Sequence, residues 1–213
     1  MGQLRFFIMS KLLQNHYKRL FLLLLSILMV SCATPTKKPK EDPATRDIEI
    51  IEEYGVDADV KEKFNKSVKL ISDEKYDEAI TLLLEVVARS TKHSAPYVNL
   101  GIAYSKLGKI VEAEESLLKA LKVTPTHPVT NNELALVYRK SGRFEEAKNI
   151  YQNVIKVYPQ FLPVRKNLGI LCDLFMNDLD CAIENYEAYL KIKPDHKKIK
   201  IWLIDLKRRA GKK

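Results

Sequence analysis

The sequence is poor in cysteine, glycine and tryptophan. Its 213 residues include three cysteines, seven glycines and one tryptophan. Three cysteines are too few for the framework of a small disulfide-rich secreted fold, and so few glycines exclude a collagen-like chain. The most apolar stretch, residues 20–30, has eleven residues, whereas a membrane-spanning helix needs about 20.

The chain also lacks a strong excess of one charge and any recognisable catalytic motif. Lysine and arginine outnumber aspartate and glutamate by 36 to 27, and residues 1–31 hold four basic residues and no acidic one. The remainder therefore carries 32 basic against 27 acidic residues, a net charge of +5, which does not indicate nucleic-acid binding. No HExxH, GxSxG, phosphate-binding loop or paired-carboxylate pattern is found. We expect no enzymatic activity, no cofactor, no metal site and no nucleic-acid partner.

Residues 1–31 have the pattern of a secretory signal peptide: a basic start, a short apolar run and small residues at the end. The apolar run is followed by Ser31 and Cys32. The four residues Met29–Val30–Ser31–Cys32 resemble the lipobox of bacterial lipoproteins. The resemblance implies removal of residues 1–31 and attachment of lipid, palmitate included, to Cys32. Because alanine rather than aspartate follows Cys32, it also implies the periplasmic face of a Gram-negative outer membrane. The alternative is a membrane anchor in which Cys32 has no role.

Two short segments separate this leader from the rest of the chain. Residues 32–46 contain three prolines among threonine and lysine, and repeated proline prevents regular helix. We therefore predict a lipidated tether over residues 32–46. Residues 47–59 mix isoleucine with acidic residues, and we predict a short N-terminal capping helix there.

The central part of the chain repeats itself with a period of 34 residues. A fixed period of this size indicates stacked helical or strand units. Six pairs of residues define the period: Leu100 and Leu134, Gly101 and Ala135, Tyr104 and Tyr138, Gly108 and Gly142, Ala113 and Ala147, Pro125 and Pro159. This pattern resembles the tetratricopeptide repeat (TPR), a helix–turn–helix module.

The resemblance implies an all-α fold, a right-handed superhelix of about four repeats in a domain over residues 60–196. The repeats are expected at 60–93, 94–127, 128–161 and 162–196, the last with one extra residue in its turn. Residues 197–213 place apolar side chains on one helical face among many basic residues. An atypical amphipathic helix at the end of a repeat stack is expected to cap it.

The spacing of small residues has a physical reason. Two helices that cross closely need small side chains at the crossing point, and glycine permits turn conformations that other residues resist. The predicted crossing residues are Ser67, Gly101, Ala135 and Gly169 on the first helices, facing Ala79, Ala113, Ala147 and Ala182 on the second. Gly108 and Gly142 are predicted to form the turns.

In TPR proteins the first helix of each repeat lines a concave groove that holds a peptide. The resemblance therefore implies a partner-binding groove, in which asparagine amides clamp a backbone and basic side chains meet a carboxylate. The implied residues are Phe64, Asn65, Asn99, Ile102, Lys106, Asn132, Glu133, Leu136, Arg139, Lys140, Lys166, Asn167 and Ile170. The alternative is that asparagine is simply common at these places of the repeat.

Two cysteines and three histidines have other possible roles. Cys172 and Cys181 lie nine residues apart across the turn of the fourth repeat and could form a disulfide in an oxidising compartment. The alternative is one buried cysteine and one partly exposed thiol. His93, His127 and His196 close successive repeats and are predicted to cap turns rather than to bind metal.

Together these features predict a non-enzymatic, membrane-anchored scaffold that docks an envelope protein in its groove. The resemblance covers lipoproteins of pilus and secretin assembly, TonB–ExbB–ExbD-like systems and cell-wall enzyme scaffolding. The alternative is a structural lipoprotein whose basic C-terminal end binds cell wall or another anionic polymer.

Overall fold

The structure is a computed structural model, and it describes residues 57–212. The predicted signal peptide, the lipidated Cys32, the tether and most of the 47–59 segment lie outside the described residues. Within the described part, no helix is both long and apolar enough to cross a membrane.

Every regular element between residues 57 and 212 is an α-helix. The helices are α1 (Ala58–Ser72), α2 (Tyr76–Arg89), α3 (Ser94–Lys106), α4 (Ile110–Val123), α5 (Pro128–Lys140), α6 (Phe144–Val157), α7 (Leu162–Leu174), α8 (Leu179–Ile192) and α9 (Lys197–Arg209). Short turns join them, and each helix packs against the next. The prediction of an all-α repeat fold is confirmed.

The first helices of the repeats form the inner layer of the stack. Helices α1, α3 and α5 each contact the next first helix along the chain, and Arg209 of α9 pairs with Asp173 of α7. When one layer of a repeat stack is closer together than the other, the stack curves towards it and that layer lines a concave surface. Helices α1, α3, α5 and α7 therefore form the layer in which we predict the groove.

The two helices of a repeat cross at the predicted small residues. A Cβ atom added to Gly101 would lie 2.5 Å from Leu117 Cγ, and one added to Gly169 would lie 2.4 Å from Tyr186 Cε1. Both distances are too short for real carbon contacts. Ser67 and Ala135, at the same position of the other repeats, are fully buried. The second helix can therefore approach only where the first helix carries a small side chain.

The turns of the second and third repeats use glycine in the left-handed conformation. Gly108 has φ +76° and Gly142 has φ +79°, values that side chains with a Cβ disfavour. The next N–H, that of Lys109 or Arg143, donates to a carbonyl in the last turn of the preceding helix at 2.9 or 2.8 Å. These bonds satisfy carbonyls that the helix end leaves unpaired.

The C-terminal helix closes the core of the fourth repeat. Ile199 and Leu206 of α9 are buried, and Trp202 packs against Tyr186 with ring centroids 5.8 Å apart. His196 caps α9, since its Nδ1 accepts from the N–H of Ile199 at 3.3 Å. His127 caps α5 in the same way through the N–H of Thr130, so the predicted capping role is confirmed for both.

Replacing Gly169 tests the helix crossing. We expect Gly169→Ala to lower the free energy of unfolding by about 1–3 kcal/mol, because the added methyl group forces the buried Tyr186 ring to move. Urea denaturation followed by circular dichroism measures this. Ser67→Ala is the matched control, since that position already carries a Cβ. Equal stability of Gly169→Ala and the native chain would contradict the crossing geometry.

Candidate partner-binding groove

The predicted groove residues occupy the inner layer with different exposures. Asn65, Lys106 and Lys140 are exposed, whereas Asn132 is buried, with 6% of its surface accessible. The other predicted residues are half-buried: Phe64, Asn99, Ile102, Glu133, Leu136, Arg139, Lys166, Asn167 and Ile170. The surface therefore alternates aliphatic and charged groups that a partner can touch.

The asparagine amides are engaged within the chain. Asn132 Nδ2 donates to Glu133 Oε1 at 3.1 Å, and its Oδ1 accepts from Asn167 Nδ2 at 2.8 Å. Asn99 Nδ2 donates to the carbonyl of Ala95 one turn earlier, at 2.9 Å. These bonds support the alternative interpretation, in which asparagine belongs to the repeat packing. The bond between Asn167 and Asn132 links α7 to α5. Recognition is therefore left mainly to other side chains.

Positive charge is concentrated where α3 meets α5. Lys140 Nζ donates to the carbonyl of Ser105 at 2.6 Å and to its hydroxyl at 2.9 Å, which fixes the ammonium against α3. Burial lowers the pKa of Lys140, and the neighbouring charges of Lys106 and Arg139 lower it further, while Glu133 opposes the shift. Two neighbouring cations that disfavour the charge on Lys140 favour an anionic partner at this place. Sequence reasoning had not identified Ser105 as part of this arrangement.

Glu133 is the acidic group of the same region. Burial raises its pKa, while the hydrogen bond from Asn132 and the charges of Lys106 and Lys140 lower it by less. Desolvation therefore destabilises the charged carboxylate more than its neighbours stabilise it. Its charge opposes the effect of Lys106 and Arg139 on Lys140, but the pKa of Lys140 remains lowered.

Arg139 lies between Tyr151 of the third repeat and Phe175 of the fourth. Its guanidinium lies over the Phe175 ring, 5.5 Å from the centroid, an arrangement that orients a cation without neutralising it. Its Nη1 and the hydroxyl of Tyr151 are buried and have no hydrogen-bond partner among the described residues. Neither Phe175 nor Tyr151 was predicted to contribute here, because nothing in the repeat pattern places them beside Arg139.

Cys172 and Cys181 form a disulfide in the structure. It joins the buried end of α7 to the first turn of α8, with Cα atoms 5.9 Å apart, inside the range that a disulfide allows. Asp178 lies close to both sulfurs, but its carboxylate accepts from the N–H of Cys181 and pairs with Lys148 at 3.0 Å. This turn has no glycine; Asn177 takes the left-handed conformation, with φ +52°.

Several basic residues of the last helix and the residues after it pair with acidic residues of the chain. Lys207 Nζ lies 2.7 Å from Glu187, and Arg209 pairs with Asp173. Lys212 pairs with Asp180 in the first turn of α8. These ion pairs reduce the free positive charge that the predicted polymer-binding role requires.

The stacked helical pairs define a helical repeat protein. Comparison with known proteins identifies the kind of repeat. Residues 93–160 match the family model of the tetratricopeptide repeat, and the structure extends the same hairpin to the repeats on either side. Residues 93–160 are therefore tetratricopeptide repeats, and the described residues as a whole have the tetratricopeptide repeat fold. No curated protein matches it in sequence.

Solved structures share its fold. MamA from Desulfovibrio magneticus RS-1, residues 41 to the end, superposes with a TM-score of 0.64 at 22% identity, covering 73% of this chain and 87% of MamA. PilF from Pseudomonas aeruginosa superposes with a TM-score of 0.65 at 18% identity, covering 71% of this chain and 69% of PilF. At these identities the likeness establishes the fold.

Removing the disulfide tests its contribution to the fourth repeat. We expect Cys172→Ala/Cys181→Ala to lower the free energy of unfolding of the oxidised chain by about 2–3 kcal/mol, from the loop-closure entropy of a nine-residue separation. The measurement is urea denaturation with and without a phosphine reductant. The reductant should destabilise the native chain and leave the double variant, which keeps Cys32, unchanged. A native chain indifferent to reductant would contradict the prediction.

Glu133 should make stability depend on pH. The pKa of Glu133 is raised in the folded chain. The contribution of Glu133 to the free energy of unfolding is therefore most favourable below the unfolded-state pKa, and it is lost as the pH rises through the folded-state pKa. Glu133→Gln keeps an oxygen for the Asn132 amide and removes the charge. We expect this variant to be more stable than the native chain at pH 7, with the difference shrinking towards pH 4. A difference independent of pH, measured by denaturation at both values, would contradict the burial effect.

Proposed function

We propose that this protein is a non-enzymatic scaffold of the bacterial envelope that docks a protein partner in the groove lined by α1, α3, α5 and α7. The repeat fold supports protein binding as the general function. The location, outer membrane and periplasm, rests on the lipobox-like residues 29–32 of the sequence.

The observation that carries the proposal is the cation cluster of Lys106, Arg139 and Lys140. These side chains lie close enough for Lys106 and Arg139 to disfavour the charge on Lys140. Glu133, beside them, is held in a site that raises its pKa. Keeping like charges together costs folding free energy, and an acidic partner would recover it on binding.

The aliphatic residues of the groove define the other half of the partner's chemistry. Ile102, Leu136 and Ile170 are half-buried on α3, α5 and α7, so each keeps apolar surface that a ligand can cover. Burial of such surface contributes about 25 cal/mol per Å². We infer that the docked segment carries both aliphatic and acidic side chains.

Lipid attached to Cys32 would hold the groove near the membrane. Confinement raises the effective concentration of a partner in the same envelope complex, so that a modest groove affinity suffices. The tether predicted over residues 32–46 gives the domain freedom to reach that partner.

A photo-crosslinking amino acid at position 136 of the full chain, expressed in intact cells, tests groove binding. Position 136 is preferred to 132, because Asn132 is buried and hydrogen-bonded. We expect one dominant envelope protein among the adducts, identified by mass spectrometry. The absence of any adduct from position 136, together with strong adducts from position 208, would overturn the groove in favour of the basic end.

A charge reversal tests the cation cluster separately. Lys106→Glu in the chain that carries the position 136 probe should reduce the adduct at least about tenfold, because it replaces attraction by repulsion beside the bound acid. Lys119→Glu is the matched control: it changes the net charge equally on an exposed site of α4. Equal loss in both variants would show that overall charge, and not the cluster, governs binding.

A further inference from the structure

The outward face of the last helix exposes two isoleucines among basic residues. Ile201 and Ile204 of α9 are 65% and 69% exposed, whereas Ile199 and Leu206 on the opposite side are buried. Residues three apart lie on the same helical face, so the two isoleucines form one patch. We call Ile201 and Ile204, with the basic residues beside them, the end face.

An apolar end face is unusual for a helix that closes a repeat stack. The terminal units of such stacks need a polar outer surface for solubility, because they have no further repeat to cover them. Single exposed aliphatic residues are normal, but two adjacent ones at the end of an array offer a surface for another element.

Basic side chains surround the patch. Lys197 and Lys200 are exposed on the same side of α9 as Ile201 and Ile204, since they precede them by four residues and share the helical face. Arg208, one turn further on, is also exposed and pairs with Asp205 at 2.7 Å. An element that covers this face must therefore carry apolar and acidic side chains together.

One segment of the chain outside the described residues has this chemistry. Residues 47–56 read DIEIIEEYGV, with four acidic residues and no basic one. Ile48 and Ile51 have the same three-residue spacing as Ile201 and Ile204. We propose that residues 47–56 of a second copy of this chain bind the end face, isoleucine against isoleucine and acid against lysine.

The segment cannot reach the end face of its own molecule. Residues 47–56 precede α1, and α1 and α9 lie at opposite ends of the stack. Four helix-to-helix steps separate α1 from α9 along the inner layer, about 32–40 Å at the usual spacing of 8–10 Å. Ile51 is six residues from Asp57 and reaches at most about 21 Å from it. The occupant must therefore come from a neighbouring molecule.

The contact is head-to-tail. Each molecule would use its N-terminal segment on one neighbour and its end face on another, so the contact does not close on itself. Heterologous contacts of this kind produce open chains of molecules unless the rotation closes a ring. We infer a linear assembly of repeat stacks joined end to end.

Crosslinking between two tagged copies of the full chain tests the proposal. One copy carries a photo-crosslinking amino acid at position 204, the other carries a different tag, and both are expressed in the same cells. We expect an adduct containing both tags, with the crosslinked peptide of the second copy mapping to residues 47–56. A probe at position 157 is the matched control, because Val157 is a 60% exposed aliphatic residue away from the end face.

Charge exchange tests the specificity of the contact. Lys197→Glu/Lys200→Glu in the copy that carries the probe should reduce the two-tag adduct about fivefold, since exposed ion pairs contribute little individually. Glu49→Lys/Glu52→Lys in the second copy should restore it. Thermal unfolding of the lysine variant, unchanged from the native chain, shows that the loss is not due to unfolding.

Four results would overturn the proposal: no adduct from position 204, an adduct confined to one chain, an adduct with an unrelated protein only, or a two-tag adduct that the lysine reversal leaves unchanged. An adduct at residues 47–56 that is lost and restored by the charge exchange supports it. The groove probe at position 136 is independent, so either result leaves the docking function separately testable.

Discussion

The close crossing of two helices at a small residue is the constraint on which the rest of the structure depends. At Gly169 the ring of Tyr186 occupies the space that a Cβ would fill, and Trp202 of the last helix packs on that same ring. The position of α9 therefore follows from the absence of a side chain on α7. The same relation holds between Gly101 and Leu117. Because each repeat buries its second helix in this way, the stack continues only while the small residue recurs.

The features that the sequence predicted well are those that recur with the repeat. The crossing residues, the turn glycines Gly108 and Gly142 and the end of each hairpin follow from one local rule applied every 34 residues. Contacts between repeats were harder to predict. The bond from Asn167 to Asn132 joins residues 35 apart and explains why Asn132 is buried, yet no single repeat contains both partners. The turn of the fourth repeat has Asn177 in the left-handed conformation instead of a glycine. The repeat pattern therefore did not predict its geometry.

The distribution of charge separates the groove from the sides of the stack. Ion pairs between neighbouring repeats neutralise charged residues outside the groove, as Arg143 does with Glu114 at 2.8 Å and Lys148 with Asp178. In the groove, Lys106 and Arg139 instead disfavour the charge on Lys140. The net charge of the chain conceals this difference, because it sums neutralised and unneutralised groups alike. Composition alone therefore gave no indication of nucleic-acid binding and could not locate a binding surface.

The groove and the end face can act together because they use different surfaces. The groove is lined by α1, α3, α5 and α7, whereas the end face is the outer side of α9, so a molecule joined to its neighbours keeps its groove open. A linear assembly would then present one groove per molecule at a regular interval. A partner with several docking segments would bind such an array far more tightly than one molecule, since each later contact forms at high effective concentration. End-to-end association would thus raise the overall affinity for such a partner without changing any groove residue.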